Sequence, residues 1–564
     1  MRRQTCNVLV IGGGIAGLQA AETAAQFVRD VVLVDRGTIG ESTSSQRSSL
    51  SLAAYLGDDR VGGFPMAYTF GSKGFFPQFT LPAEKQEVVK ESFSRFKNDV
   101  MAVGGHLSDP VLVDLAIRGI YNRIGWLEAY GLQLVRDGDR GIYRVFSAPG
   151  HSQPRVCVLI GSPNAAMRAF QQGAAKLGVQ FHEKTYVTKI LTQNGRAVGA
   201  YALDWEHGEP ILFETKAIIL ATGGADSLYR QDARGSSGSG YILALKAGAK
   251  LANMEFIQFV PEPTAIPNWV DAGALLLGAG IRLKDARGQF IVSKYGVSEK
   301  TTPLAELMQV LYQESQGGEV TSELSQAARE VIDAVPALQV LTGESITWKV
   351  GMAGHLGGVV NKAGATDVDG LFVGGEVATG CHGADALPGM LLSFTLCSAE
   401  EAAIKAAKYS TRVESMAADL HQVQEEENQV QRKLAGSGSS SSQALTELEA
   451  NLRKLMWTSL GPIREKAGLE AAERRLHEWR QEIETLSVAD FPSLVRLREL
   501  QSAVITAQLI WEAARRREES RGQHRRIDHP ERDDAQWSRW IVISMDGEAF
   551  TFQSVPIENR PSES

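Results

Sequence analysis

The stretch Asn7–Gly17, NVLVIGGGIAG, decides the fold. Its apolar run, Val8 to Ile11, ends in Gly12-Gly13-Gly14, and Gly17 follows three residues later. A small-residue segment, Leu18 to Ala25, then reads as a helix. Apolar strand, glycine turn and helix start are the parts of a dinucleotide-binding βαβ unit. In such a unit Gly12 allows the tight turn, Gly14 lets the backbone approach a pyrophosphate, and Gly17 lets helix and strand pack closely. The helix N-terminus faces the phosphate charge. A second strand, Val31 to Val34, ends in Asp35, about 20 residues on, where an acid takes the ribose hydroxyls. A glycine fingerprint alone also fits an ordinary α/β turn. Strand, helix, second strand and acid in this order favour the dinucleotide.

The chain has 564 residues, too many for one core, so two to four domains are expected. Hydrophobic residues make up 43% and charged residues 22%, as in ordinary globular proteins. A net charge of −8 argues against nucleic acid as a partner. Cys6, Cys157, Cys381 and Cys397 are scattered, with no Cys-x-x-Cys pair. That excludes a disulfide framework and cluster ligands, and leaves no metal site to predict. No stretch of 18 or more apolar residues occurs, so no membrane span is expected. Arg2-Arg3 precedes the glycine-rich strand itself rather than a leader. The chain is expected in the cytoplasm, with partner subunits as its route to the inner face of a membrane.

Downstream of Asp35, Gly40 to Ser51 is serine-rich and reads as loop, and Gly62–Pro82 has no periodicity. Helices are expected over Glu84–Val103, from Asp109-Pro110 to near Gly131, and over Pro163–Leu177. Val179–His182 reads as a strand. Thr185–Phe213 reads as a meander with turns at Asn194-Gly195 and His207-Gly208. Ala217 to Ala221 is a buried strand running into Thr222-Gly223-Gly224, a second close approach to the cofactor. A helix follows at Tyr241–Ala247. From Met254 to about Ala353 the pattern changes to short strands, prolines and two helices, Pro303–Glu314 and Thr321–Val335, as in a lobe inserted into the first domain. Strands and glycine turns return at Gly357–Glu376, before a helix from about Leu392 to Tyr409. Beyond residue 412 the chain is helical and charged. Gly436–Ser442 reads as a flexible loop between two of these helices, and Leu445–Trp457, Leu469–Leu486 and Leu494–Glu519 suggest a small bundle. A strand, Trp540–Ile543, and a hairpin at Asp546-Gly547 end the chain.

Three further stretches resemble the flavoproteins of succinate dehydrogenase and fumarate reductase. They are Ile219–Gly224 (ILATGG) with Ser237–Pro261, Gly357–Ala384, and Glu519–Asp534 (ESRGQHRRIDHPERDD). Gly150–Arg155 (GHSQPR) matches as well. The superfamily includes L-aspartate oxidase and the adenylylsulfate reductase α subunit. The resemblance implies an α/β fold: a Rossmann-like FAD-binding domain with an inserted α+β capping domain, then a helical bundle domain. The expected divisions are 1–254 and 356–411 for the FAD-binding domain, 255–355 for the capping domain, 412–528 for the helical domain and 529–564 for a C-terminal segment. FAD rather than NAD is implied. Carried over by position, Gly12, Gly14, Ile15, Ala16 and Gly17 hold the pyrophosphate end, and Asp35 takes the ribose. Arg36, Ser42, Thr43, Val187, Ala221, Thr222 and Gly223 join the cofactor site. Glu376 faces the ribityl chain, and Leu391 and Leu392 lie at the isoalloxazine ring.

The same resemblance shows what is missing. Where dicarboxylate-acting members carry QFHPT, Gln258–Glu262 reads QFVPE. Their two substrate arginines align with Leu277 and Ala386, and a histidine aligns with Ala353, two residues before His355. Succinate and fumarate need guanidinium partners. Members that bond FAD covalently use a histidine; Glu41–Ser49 has none, so non-covalent FAD is expected. His355, Glu262 and Asp385 are the remaining catalytic candidates, with His382 and Arg282 behind them. His355 suits an acid or base near neutral pH, or a bond to a loop carbonyl. Glu262 suits an altered or cationic substrate, or a solvated loop. Asp385 is similar, His382 is mostly structural in relatives, and Arg282 can simply face solvent. The expected activity is hydride transfer between the flavin and a small organic substrate other than succinate or fumarate, with electrons exchanged with a separate iron–sulfur subunit. The alternatives are an electron-transfer subunit with no organic substrate of its own, and an enzyme like L-aspartate oxidase.

Overall fold

Strand Arg2–Ile11 lies at the centre of a seven-stranded sheet, flanked by Val31–Val34 on one side and by Glu209–Leu220 on the other. The computed structural model describes residues 1–41, 43–47, 51–54, 83–137, 142–161, 163–231, 235–266, 272–298, 302–434 and 442–559. Parallel strands covered on both faces read as continuous apolar runs, and Val31–Val34 is buried throughout. Alternate residues serve opposite cores. Val8, Val10, Val31 and Leu33 pack under the helices Ile15–Ala25 and Met390–Ser410, while Leu9, Ile11, Val32 and Val34 join the larger core on the other face.

Gln180–His182 extends the sheet beyond Val31–Val34. On the far side, Thr185–Gln193 and Arg196–Asp204 form the expected antiparallel meander with Glu209–Leu220. The last residues of that long strand also pair in parallel with Leu371–Val373. The two glycine-bearing turns therefore leave the sheet side by side: Ile11 pairs with Leu220, and the turns begin at Gly12 and Ala221.

The inserted segment builds its own four-stranded sheet, in the order Ile257–Pro263, Ser345–His355, Val320–Glu323, Arg282–Lys284. One sequence expectation needs correction here. Thr321–Val335 is not one helix: Val320–Glu323 is a strand, and the helix is Gln326–Ala334. Val320 and Ser322 are buried while their neighbours are not, the alternation of a strand. Ser325 then caps the helix by accepting from the Ala328 N–H at 3.0 Å. The Gly40–Ser51 loop likewise holds a short 3₁₀ turn, Ser44–Arg47, and Ser51 opens a three-residue strand.

Four helices, Leu420–Leu434, Ser442–Ser459, Lys466–Thr485 and Phe491–Arg516, form the C-terminal bundle. The final hairpin, Arg539–Asp546 with Ala549–Pro556, pairs with Leu251–Ala252, beside Gly358–Val359. It thus closes onto the roots of the insertion. Glu519, Arg521, His524 and Arg526 of the Glu519–Asp534 stretch are buried there. Arg517 donates to Glu255 at 2.7 Å and to Glu519 at 2.9 Å, and Arg521 donates to Glu519 at 2.7 Å. Arg464 donates to the Glu255 carbonyl and to His524 Nδ1, both at 2.7 Å. A buried charge is tolerated when it is paired in this way, and the pairs tie bundle to insertion. No helix among the described residues is long and apolar enough to cross a membrane.

Candidate functional site

The two glycine turns form one wall of a long cleft. Gly12 holds φ at +114°, and a Cβ there would lie 2.3 Å from the Ala221 carbonyl oxygen. A Cβ on Gly17 would lie 1.7 Å from the Gly12 carbonyl oxygen. Neither position accepts a side chain, so strand, turn and helix close into one unit. Gly14 N-caps the Ile15–Ala25 helix without a side chain, which leaves the helix N-terminus open to the cleft.

Most of the residues named from sequence meet here. Gly12, Gly14, Ile15, Ala16, Asp35, Arg36, Thr43, Ala221, Thr222, Gly223, Glu376, Leu391 and Leu392 line the cleft. Gly17 lies behind it and works by close packing. Val187 is buried in the meander strand Thr185–Gln193 and is not among the lining residues. Ser42 lies outside the described residues.

The polar groups of the cleft are held by the main chain. Asp35 accepts from the Gly13 N–H at 2.6 Å and the Gly37 N–H at 2.7 Å. Burial raises its carboxyl above the usual range, and those two bonds oppose the shift. Arg36 donates to the Gly235 carbonyl at 2.7 Å and pairs with Glu499 of the bundle. Glu376 accepts from the His355 N–H at 2.9 Å. Burial, with the Asp226 charge nearby, pushes its carboxyl up to about 7. The hydroxyls of Thr43 and Thr222 are buried without a partner.

The structure also brings in residues the sequence did not single out. Asp226, Arg230, Ser44, Ser45 and Ser236 line the cleft. Ser44 donates to Asp226 at 2.7 Å, Ser45 accepts from the Ile15 N–H at 3.1 Å, and Arg230 donates to the Met352 carbonyl. The segment after Gly223-Gly224 carries three of these groups, Asp226, Arg230 and Ser236, and its nearness to the glycine turn was the available signal.

The three catalytic candidates fare differently. His355 lines the cleft, but both ring nitrogens are engaged: Nδ1 with the Tyr241 hydroxyl and Nε2 with the Met254 carbonyl, each at 3.0 Å. Burial lowers its pKa to about 4, so the ring is neutral. That is the arrangement of a carbonyl-bound histidine. Glu262 is not among the cleft-lining residues; it is buried on its strand and pairs with Lys349 at 3.3 Å. Asp385 is buried behind the cleft wall and accepts from Gln523 at 2.9 Å, with burial raising it to about 7. Glu262 and Asp385 therefore do not join the cleft. His382 does line it, with Nδ1 unpartnered and the ring held neutral by burial, pKa about 4. Arg282 is exposed and stacks 3.5 Å from the Phe290 ring centroid.

Past Ala353 and Leu391 the cleft leads into a small pocket. Val260, Ala274, Leu304, Leu387 and Pro388 wall it, and Gln258 is the one polar side chain among its described lining residues. Leu277 and Ala386 are buried nearby in the apolar cores, at 0% and 1% exposure.

Comparison with known proteins decides the family. The family described as FAD binding domain matches residues 78–392. The chain belongs to the succinate dehydrogenase/fumarate reductase flavoprotein superfamily. The fumarate reductase flavoprotein C-terminal family matches residues 449–563, and residues 2–49 match the alanine dehydrogenase/PNT C-terminal domain. One subunit of the fumarate reductase (CoM/CoB) of Methanothermobacter marburgensis is 27% identical over 96% of this chain and 97% of that protein. The L-aspartate oxidase of Yersinia pestis is 26% identical over 93% of this chain and 96% of its own. Among solved structures, the E. coli quinol fumarate reductase chain FrdA superposes with a TM-score of 0.81 at 20% identity, covering 100% of this chain and 98% of that one. Archaeoglobus fulgidus adenylylsulfate reductase gives 0.75 at 18% identity, covering 98% and 96%. These likenesses establish the fold.

The chain is thus an FAD-dependent oxidoreductase of this superfamily. The cleft fits the cofactor. It offers a side-chain-free turn at a helix N-terminus for phosphate, a main-chain-held carboxylate for a ribose, and two unpartnered threonine hydroxyls for further polar contacts. No group of three or more metal-ligating side chains occurs among the described residues.

Proposed function

We propose that this flavoprotein exchanges a hydride between the flavin ring of non-covalently held FAD and a small organic substrate that is not a C4 dicarboxylate. A separate iron–sulfur subunit then gives or takes the electrons. The observation that carries this reading is the contrast along the cleft. The nucleotide end is lined as a flavoprotein's should be. The pocket at the other end has no cationic side chain among its described lining residues.

Bound FAD supplies the redox chemistry. The protein's residues supply placement. Gly12 to Ala16 and the open helix N-terminus hold the pyrophosphate, and Asp35 accepts from a ribose hydroxyl. Glu376 faces the ribityl chain, where a carboxyl raised to about 7 carries a proton at neutral pH part of the time and both donates and accepts. Leu391 and Leu392, at the start of the Met390–Ser410 helix, bring its N-terminus and an apolar surface to the ring end. His355 fixes the Tyr241 hydroxyl and the Met254 carbonyl and so holds the strand beside Glu376. The walls of the small pocket exclude water from the reacting end. An unpaired carboxylate there would lose its hydration with no guanidinium in return.

The reading as an electron-transfer subunit without its own substrate draws on the smallness of that pocket. Anaerobic mixing separates the two. Rapid bleaching of the flavin by a neutral organic donor, with no response to succinate, supports the enzyme. Reduction only by a partner protein supports the carrier. Reduction by succinate, or reoxidation of the reduced protein by fumarate, refutes the proposal.

A further inference from the structure

We infer that, whatever the flavin oxidises, the helical bundle completes the adenosine end of the FAD site: Glu499, on the bundle helix Phe491–Arg516, is a positioning residue that holds the Arg36 guanidinium in the cleft. Arg36 follows Asp35 just past the strand Val31–Val34 and lines the cleft. Its carbonyl accepts from Trp205 Nε1 at 2.7 Å, which pins the backbone. Its side chain reaches two other elements. Nη2 donates to the Gly235 carbonyl at 2.7 Å, and Nη1 pairs with Glu499. The two paired side chains are 24% and 22% exposed. The same face of the bundle helix makes two more contacts with the FAD-binding domain. Glu499, Ser502 and Thr506 are spaced three and then four residues apart, so they share that face. Ser502 bonds the Tyr186 hydroxyl. Thr506 lies against Gly238, where a Cβ would be 2.2 Å from its Oγ1. Glu499 is thus seated by the helix rather than by its own side chain alone.

The basic side chains among the described lining residues of the cleft are Arg36 and Arg230, and Arg230 is turned to the Met352 carbonyl. Arg36 is therefore the cation beside Asp35, where the ribose is held. A loose arginine samples many rotamers, and fixing it when a ligand binds costs side-chain entropy. Glu499 fixes it before the cofactor arrives. The guanidinium is planar and carries five N–H donors. With Gly235 and Glu499 engaging it from the protein side, its flat face and remaining donors are left for a nucleotide. Planar cations of this kind stack on aromatic rings and bond phosphate oxygens, and adenosine diphosphate offers both. The rival account is that the Arg36–Glu499 pair does no more than dock the bundle.

The test strips FAD from the purified full-length protein and titrates it back, following flavin fluorescence. Glu499→Ala and Arg36→Ala are each expected to weaken FAD at least about tenfold. The double variant is expected to be no weaker than Arg36→Ala alone, because Glu499 acts through Arg36. A charge-swapped chain, Arg36→Glu with Glu499→Arg, separates the two accounts. It restores an ion pair across the interface but leaves no guanidinium beside Asp35, so FAD is expected to stay at least about tenfold weaker than in the wild type. A pair that only docks the bundle would let the swap recover FAD affinity. Glu499→Met, which keeps the side-chain stem and removes the charge, takes the place of Glu499→Ala if that variant does not fold. Three results overturn the inference: unchanged FAD affinity in either single variant, losses that multiply in the double variant, or recovery in the swap. Wild-type protein that carries no flavin and takes none up would instead refute the flavoprotein reading itself.

Discussion

The two ends of the cleft are made of different materials. The nucleotide end is made largely of main chain: a glycine turn, a helix N-terminus, and an aspartate held by two backbone N–H groups. The small pocket at the far end is made of side chains: Val260, Ala274, Leu304, Leu387 and Gln258. Main-chain recognition depends on the strand–turn–helix geometry and is lost only when the fold is lost. Side-chain recognition changes with each residue and leaves the sheet untouched. One scaffold can therefore keep its cofactor while the residues at its other end change.

Placing charge at the apolar end is expected to have the largest effect. Ala386 is 1% exposed, so Ala386→Arg buries a guanidinium without a carboxylate partner and costs about 3–5 kcal/mol. Chemical denaturation measures this. A stable variant that binds fumarate would show that the two ends differ by a single residue, and the comparison would break. Gly17→Val attacks the other end. Its Cβ meets the Gly12 carbonyl, and a loss of about 3 kcal/mol and of the flavin band is expected. Retention of FAD by a folded Gly17→Val protein would contradict the main-chain account.

A third prediction uses pH. The Glu376 carboxyl titrates at 4.5 in the free state and is raised to about 7 in the fold. The folded chain thus holds that proton more tightly than the unfolded one. Its contribution to stability is present below pH 4.5 and is lost as pH rises through about 7. Asp385, raised from 3.8 to about 7, adds a loss of the same sign that its own protonation governs. Before FAD is added, stability is expected to fall across this window, and Glu376→Gln to flatten part of the fall. Parallel curves for the two proteins would contradict the assignment. The smallest effect belongs outside the cleft. Arg282 is exposed over Phe290, and Arg282→Ala should cost no more than about 0.5–1 kcal/mol, with no change in the flavin spectrum.

Much of the nucleotide end is legible in the sequence because local spacing encodes it. Gly12, Gly14, Gly17 and Asp35 are fixed by the turn and by the strand that follows it. The substrate end is legible only as absences, at Leu277, Ala353 and Ala386. Glu262, Asp385 and His355 share a feature that the sequence does not show. Sequence shows a titratable group but not its partner, and each is already engaged, with Lys349, Gln523, and the Tyr241 and Met254 oxygens. Arg230 and Asp226 escape notice because they enter the cleft from a loop without periodicity. Thr321–Val335 reads as one helix because a short alternating strand runs straight into an amphipathic helix, and only the Ser325 cap separates them.

The central claim is that an intact flavin site faces a pocket unable to take a dicarboxylate. An anaerobic spectrum of the purified protein tests it most directly, before and after succinate, and again after chemical reduction and addition of fumarate. The expected result is an absorbance band at roughly 450 nm from FAD that acid releases into solution, with no bleaching by succinate and no reoxidation by fumarate. Reoxidation by fumarate at the rate of a working reductase would contradict the account.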